Sequence, residues 1–162
     1  LTCKDKIKAR LMLVGEVPDA LDISASAQHF LRTSPDIVKT GWVDCCEKYY
    51  SAMDLFVLPS YREGFATSVI EAEAMGVPAV ITALPFAQEA VLPGKTGLCV
   101  GVKNTEELYQ ALQRLLLNDA ERERMGQCAA QLARERFDAQ ILLQKIMEDR
   151  VALVRQGEKN NR

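Results

Sequence analysis

The stretch Asp54–Gly76, DLFVLPSYREGFATSVIEAEAMG, joins an apolar run, a polar loop and a helical segment. The apolar run Leu55–Leu58 is followed at once by a proline, a pattern typical of a strand buried on both faces. A helix is predicted to begin near Phe65–Thr67. Gly76 suits the left-handed position that often ends a helix, and Pro78 prevents continuation. The stretch is therefore predicted to form a strand, a loop and a helix.

The beginning of this helix is suited to binding an anion, because unpaired backbone N–H groups and the positive end of the helix dipole meet there. Gly64 has no Cβ and lets a ligand approach the backbone, so we expect a phosphate over Gly64–Thr67. Glu71, about one turn further on, can accept hydrogen bonds from a pair of hydroxyls, and Glu63 can do so at the other end of the ligand. A sugar nucleotide, with its ribose, diphosphate and hexose, fits this order.

Glu63 and Glu71 enclose seven residues, and the segment resembles the E-x7-E motif of retaining glycosyltransferases of the GT-B fold, family 4. Two glutamates at this spacing would be weak evidence alone. The surrounding order also resembles that family, with GWV at 41–43, a helix with paired tyrosines, DLFVLPSYREGF, GVPAVIT and GKTGLCV in succession. The resemblance extends over nearly the whole chain from Leu11 onward.

The resemblance implies a role for each residue of the motif. It places Glu63, the catalytic candidate, near the hexose hydroxyls to position the donor sugar, and Glu71 at the ribose diol. It also implies that backbone amides meet the diphosphate and sugar at Gly64, Phe65, Ala66 and Thr67. Ala66 departs from the glycine or proline common at its position, which puts the approach of the hexose in doubt.

Three further residues near the motif have two readings each. Trp42 and Val43 match a loop that often contacts the nucleobase, although Trp42 is equally typical of core filling. Arg62 can neutralise a phosphate or be a solvated arginine. Glu73 has no role in the motif and is predicted to lie on the surface.

The bulk composition describes an ordinary globular chain. It has 162 residues, 48% of them hydrophobic, and a formal net charge of −2. This size suits one domain with a real core, and the charge argues against a general nucleic-acid binder. The apolar runs are too short to span a bilayer, and no signal peptide is visible.

Cysteine and histidine usage limits the chemistry further. The five cysteines have neither a disulfide framework nor zinc spacing, which favours a reducing, cytoplasmic setting. His29 is the only histidine, so a catalytic triad or a histidine metal site is disfavoured. We expect no cofactor and no metal. A peripheral contact of the full enzyme with a membrane is left open.

Strands and helices alternate, and each strand is apolar throughout. This pattern predicts an α/β fold with an open doubly wound parallel sheet, the Rossmann-like half of a GT-B fold, ending in a helical C-terminus. Ligands of such sheets bind at the carboxyl ends of the strands. The predicted strands are Leu11–Val17, Ile37–Val43, Leu55–Leu58, Pro78–Thr82 and Leu98–Val102. The predicted helices cover about 25–32, 44–53, 65–75, 86–91, 105–116, a segment starting at Asp119, and a last one from Asp138 to about Val154. The predicted caps are Asp44, Asn104 with Glu107 in a capping box, Asp119 and Asp138.

We expect residues 1–156 to be a truncated C-terminal, nucleotide-sugar-binding domain and 157–162 a disordered tail. Leu1–Arg10 has the composition of the end of a charged helix, so the chain is predicted to be a fragment. The resemblance implies a longer enzyme that transfers a hexose from a nucleotide diphosphate sugar to an acceptor hydroxyl with retention. An N-terminal acceptor domain, and a strand–helix unit carrying an Arg and a Lys, would be missing, so the fragment alone is expected to be inactive.

Other functional classes remain open. A GT-B-shaped sugar-nucleotide epimerase shares the sheet but should lack this glutamate pair, and a non-catalytic nucleotide-sugar-binding or interaction module could keep the fold. A dinucleotide-binding domain lacks its G-x-G-x-x-G signature here, and GKTG at 94–97 lacks the spacing of a P-loop. The nucleobase, hexose, acceptor and oligomeric state are not determined by these residues.

Overall fold

The structure is a computed structural model that describes residues 7–17, 23–85 and 87–160. Within these ranges, five short strands alternate with helices, and the described elements comprise six α-helices and one 3-10 turn. The strands are β1 (Leu11–Leu13), β2 (Ile37–Lys39), β3 (Phe56–Leu58), β4 (Ala79–Thr82) and β5 (Gly97–Val100). The helices are α1 (Ala25–Thr33), α2 (Glu47–Tyr50), α3 (Thr67–Ala74), α4 (Thr105–Leu117), α5 (Asp119–Phe137) and α6 (Ala139–Asn160), and the 3-10 turn is Ala87–Glu89.

All strand pairs are parallel, as the sequence predicts, but the strands form two sheets. β1 pairs with β2, and β4 lies between β3 and β5. The central strand β4 is buried along its whole length, whereas β1 and β2 have no fully buried residue. The three-stranded sheet is therefore the hydrophobic centre of the domain.

Both faces of this sheet are covered, because alternate residues of β4 point to opposite sides. Ala79 and Ile81 belong to a core cluster that includes residues of α3 and of the segment after β4. Val80 belongs to a second cluster with Leu115 of α4 and Met125 of α5. The fully apolar sequence of the strand reflects this two-sided burial.

Helix α3 ends as the sequence predicts. Gly76 has φ +79°. The N–H of Val77 donates to the carbonyl of Ala72, and the N–H of Gly76 donates to the carbonyl of Glu73. This hydrogen-bond pattern is a Schellman motif, which requires a left-handed residue and so favours glycine.

The predicted caps are correct for α4 and for the last helix, and they are shifted for α2 and α5. Asp138 accepts the N–H of Gln140, as expected of a cap. Cys46, not Asp44, is at the cap position of α2, and it makes no side-chain cap bond. Asn118, rather than Asp119, caps α5, because its amide oxygen is placed to accept the N–H of Glu121.

The capping box predicted for α4 forms only in part. The side chain of Asn104 accepts the Glu107 N–H at 3.1 Å. The Glu107 carboxylate reaches past the cap residue and accepts the N–H of Gly101 at 2.6 Å. The carboxylate therefore ties the helix to the end of β5 instead of to the cap.

Several predicted elements differ in length from those of the structure. β1 and β2 are shorter than predicted, and residues 7–10 have no regular structure. Helix α6 continues to Asn160, although 157–160 were assigned to a disordered tail, because one glycine in a helix costs only about 1 kcal/mol. The predictions for residues 1–6, 18–22, 86 and 161–162 lie outside the described residues.

Helix α6 packs against α5 and leaves an apolar surface open. Its exposed large hydrophobic residues are Ile141, Leu142, Leu143, Ile146, Met147, Val151, Leu153 and Val154. Among the described residues, no helix has the length and apolarity that crossing a bilayer would need.

Candidate functional site

The candidate site lies where β3 ends and α3 begins. Parallel pairing of β3 with β4 and of β4 with β5 brings the ends of all three strands to one edge. The loop from Pro59 to Ala66 leaves that edge and enters α3. The structure therefore puts the predicted loop and helix at the edge where parallel sheets bind ligands.

The start of α3 has no side-chain cap. Ala66 is at the cap position and makes no side-chain bond to the helix. Within the described part of the chain, the N–H groups of Gly64, Phe65 and Ala66 donate to no other group, whereas Thr67 donates its N–H to the Phe65 carbonyl at 2.8 Å. The helix thus begins with free donors, as anion binding requires, but the Thr67 amide is already engaged.

Phe65 has a side-chain contact that the sequence did not predict. Its ring packs edge-on against Phe137, the last residue of α5, with centroids 5.7 Å apart. Half of the Phe65 residue is nevertheless exposed. The aromatic pair connects the loop to α5.

Each acid of the predicted pair accepts a hydrogen bond from a hydroxyl group. Ser60 donates to Glu63 Oε1 at 2.6 Å, and Tyr50 donates to Glu71 Oε2 at 2.9 Å. Glu63 is half-buried and Glu71 is exposed. The two acids share no hydrogen bond within the described residues, so each is oriented by its own neighbour.

Tyr50 is the residue near the site that sequence reasoning missed. It lies on α2, is only 6% exposed, and packs with Ala72 and Val77. A tyrosine on the apolar face of a short helix is ordinarily assigned to the core. The available signal was its hydroxyl, because a buried Tyr O–H usually has a hydrogen-bond partner.

The GWV segment lies in a loop and not at the end of a strand. Gly41 has φ +65°, which stops the extended backbone of β2, and it pairs with Gly15 in an isolated bridge. Trp42 is 69% exposed, so the core-filling alternative is wrong, and Val43 is half-buried. The indole is free to contact a ligand, although no described contact joins it to Glu71.

Arg62 is exposed in the loop beside Glu63. It is therefore solvated in this structure, two residues before Gly64 in the loop that leads into α3.

Glu73 is not at the surface. It is 0% exposed, and both of its carboxylate oxygens lack a hydrogen-bond partner among the described residues. Burial raises the pKa of Glu73 to about 7, and the nearby Thr96 hydroxyl offsets part of that rise. The sheet side of α3 therefore contains a carboxyl group that is easily protonated near neutral pH.

A cavity of about 220 Å³ opens at the same edge of the sheet. None of the predicted site residues lines it. Lys103 has φ +59°, and its ammonium lies 5.6 Å from the centre of the Tyr61 ring. The lining residues are Pro59, Tyr61, Thr82, Val100, Gly101, Lys103, Asn104, Thr105 and Leu108.

No described group of three or more His, Cys, Asp or Glu residues is arranged to hold a metal ion. In the described ranges, Cys45, Cys46, Cys99 and Cys128 are free thiols.

Comparison with known proteins gives a consistent result. The family described as glycosyl transferases group 1 matches residues 1–118. The capsular polysaccharide biosynthesis glycosyltransferase CapM of Staphylococcus aureus is 28% identical over 85% of this chain and 36% of its own length. The N,N'-diacetylbacillosaminyl-diphospho-undecaprenol alpha-1,3-N-acetylgalactosaminyltransferase of Campylobacter jejuni is 34% identical over 90% of this chain and 38% of its own.

Solved structures show the same fold. Sucrose-phosphate synthase from Thermosynechococcus elongatus superposes with a TM-score of 0.76 and 26% identity over 91% of this chain and 39% of its own. Anabaena Alr3699/HepE in complex with UDP gives a TM-score of 0.78 and 23% identity over 89% of this chain and 41% of its own. The chain therefore spans well under half of the length of each of these proteins.

Proposed function

The chain belongs to the glycosyl transferases group 1 family, and we propose that it is the donor-binding domain of a retaining enzyme. The longer protein would transfer a hexose from a nucleotide diphosphate sugar to an acceptor hydroxyl. The observation that carries the proposal is the uncapped start of α3, flanked by Glu63 and Glu71, each hydrogen-bonded to a hydroxyl. The curated relatives named above are themselves glycosyltransferases, which favours transfer over the epimerase and non-catalytic alternatives.

In this proposal the free amides of residues 64–66 hold the diphosphate. Negative charge develops on the leaving diphosphate during transfer, and donors that are already oriented lower the barrier for that step. The dipole of α3 acts in the same direction. Arg62, exposed in the same loop, adds a positive charge.

The two acids contact the two sugars of the donor. Glu71 accepts the ribose hydroxyls, and Glu63 positions the hexose. Trp42 and Val43 contact the nucleobase, which the exposure of the indole permits. We place the reaction in the cytoplasm, which the free thiols of the described cysteines support, and we propose that it needs no metal ion or cofactor. An N-terminal acceptor domain would complete the enzyme.

A donor screen tests the proposal. The full-length protein would be heated with UDP-, GDP- and ADP-sugars in turn, and the donor class that binds should raise its Tm because only the folded state binds it. Proton NMR of the product would then give the anomeric configuration. Stabilisation by one class with retained configuration supports the proposal, whereas inversion, or no stabilisation by any nucleotide sugar, would contradict it.

A further inference from the structure

The hydroxyl of Tyr50 on α2 donates to Glu71 on α3, and the two residues are 21 positions apart in sequence. We propose that Tyr50 is a positioning residue that fixes the Glu71 carboxylate for the ribose hydroxyls of the donor. This inference rests on the proposed function, in which Glu71 contacts the ribose.

Tyr50 is itself held firmly. Its ring packs edge-on against Phe56 of β3, with centroids 5.8 Å apart. Ala72 and Val77 complete the buried cluster around it. Because the ring is enclosed by the sheet and by both ends of the Schellman turn, its hydroxyl has a fixed position relative to α3.

The hydrogen bond leaves Glu71 able to bind a diol. Each carboxylate oxygen accepts two hydrogen bonds, and Tyr50 uses only one position on Oε2. Among the described residues, Oε1 accepts no hydrogen bond, and the residue is exposed. One ribose hydroxyl can therefore donate to each oxygen while Tyr50 stays in place.

Holding the carboxylate in advance has a clear energetic benefit. A free glutamate side chain loses rotamer entropy on binding, which opposes binding of the ligand. Tyr50 removes part of that cost before the ligand arrives. It remains a donor over the physiological range, because burial first and the hydrogen bond to Glu71 second raise the pKa of its phenol.

Calorimetry on the full-length protein tests this role. The ligands are the best-binding nucleoside diphosphate of UDP, GDP and ADP, and the 2′,3′-dideoxy form of the same nucleotide. We expect Tyr50→Phe to weaken binding of the ordinary nucleotide about tenfold, the size of one hydrogen bond to a charged group. The affinity for the dideoxy nucleotide should fall by less than about twofold, because this nucleotide has no diol to donate hydrogen bonds to Glu71.

Two further variants provide the controls. Tyr49→Phe should leave both affinities unchanged, since the Tyr49 ring lies under Lys48, 5.1 Å from its ammonium, and not at Glu71. In a Glu71→Gln background, Tyr50→Phe should add little, because the carboxylate it orients is absent. Thermal unfolding of each variant sets a titration temperature at which all are folded.

The outcomes separate the inference from the proposed function. Equal weakening of both nucleotides by Tyr50→Phe would mean that Tyr50 acts through the fold, and unchanged affinity would mean that it does not position Glu71. Either result would overturn the inference. Weaker nucleotide binding by Glu71→Gln would still support the proposed function. Failure of the unmodified protein to bind any of the three nucleotides would overturn both.

Discussion

The three glutamates in α3 and in the loop before it differ in what surrounds them. Glu63 and Glu71 each accept a hydrogen bond from a hydroxyl and remain accessible. Glu73 is fully buried and unpartnered. The same side chain is therefore an oriented acceptor at two positions and a source of instability at the third.

The motif predicted Glu63 and Glu71 as candidates but could not predict the environment of Glu73. Residues two apart on a helix point to different sides, so an exposed Glu71 is compatible with a buried Glu73. The burial arises on the sheet side, where Thr96, just before β5, and Cys99 of β5, more than twenty residues further along the chain, lie near the carboxyl group. No local sequence pattern reveals such a contact. The role of Tyr50 could not be predicted either, because its partner Glu71 is also distant in the sequence.

We predict that the stability of the protein falls between about pH 5 and about pH 8 because of Glu73. Its pKa of about 7 in the folded protein lies above the ordinary 4.5. Between those values the folded state binds more protons than the unfolded state, so stability decreases as the pH rises. The loss is roughly 3 kcal/mol.

Urea unfolding at a series of pH values would measure this decrease. Glu73→Gln should flatten the curve and be more stable than the unmodified protein at about pH 8, whereas Glu123→Gln, at an exposed position on α5, should keep the original slope. A slope that survives in Glu73→Gln would assign the effect to another group.

Ser60 should affect turnover more than nucleotide binding. Ser60→Ala removes the hydroxyl that donates to Glu63, and Glu63 is proposed to contact the hexose. We expect kcat to fall about tenfold, equivalent to one hydrogen bond to a charged group, with the Kd for the nucleoside diphosphate unchanged. Ser51→Ala, at an exposed position at the end of α2, is the control. An unchanged kcat in Ser60→Ala would contradict the proposed role of Ser60 in orienting Glu63.

At the scale of elements, α3 is defined by close packing on both sides. The sheet covers its inner face, and α5 approaches the turn that ends it. A Cβ at Gly126 of α5 would lie 2.1 Å from the Gly76 carbonyl oxygen. The position of α3, and so of the proposed site, depends on that close approach.

Sequence patterns predicted this element well because several signals agree. An apolar run, a polar loop, Gly76 and Pro78 gave the bounds of β3 and α3 to within about two residues. The second strand was predicted too long, because the left-handed conformation of Gly41 is visible only in the structure. Caps shifted by one residue at Asn118, since neighbouring polar residues compete for that role.

Gly126→Ala should destabilise the protein by about 1–3 kcal/mol, the usual cost of overpacking a closely packed site. Denaturant unfolding would measure it. Gly64→Ala provides the stability control, because a Cβ there meets no atom within 4 Å. If both substitutions had equal, small effects, the approach of α5 to the turn would not constrain α3.

At the scale of the whole molecule, the parallel α/β fold followed from the alternation of strands and helices. The division into two sheets did not follow from it, because hydrogen bonding between strands is not encoded in their periodicity. Helix α6 packs on α5 and keeps a row of large apolar residues exposed.

We predict that the isolated 162-residue chain transfers no sugar. The proposed reaction needs an acceptor domain, and the chain spans only 36% and 38% of the two curated relatives described above. A radiolabelled-donor assay of the isolated chain beside the full-length protein would test this. Turnover by the isolated chain at the full-length rate would contradict the assignment of the acceptor site to another domain.

The most direct test of the central claim is calorimetric titration of the full-length protein and its Glu71→Ala variant with the preferred nucleoside diphosphate. Glu71→Ala should bind at least about tenfold more weakly, because the ribose loses its charged acceptor, while Glu123→Ala should bind as the unmodified protein does. Equal affinity of Glu71→Ala and the unmodified protein would contradict the claim that α3 presents this carboxylate to the donor.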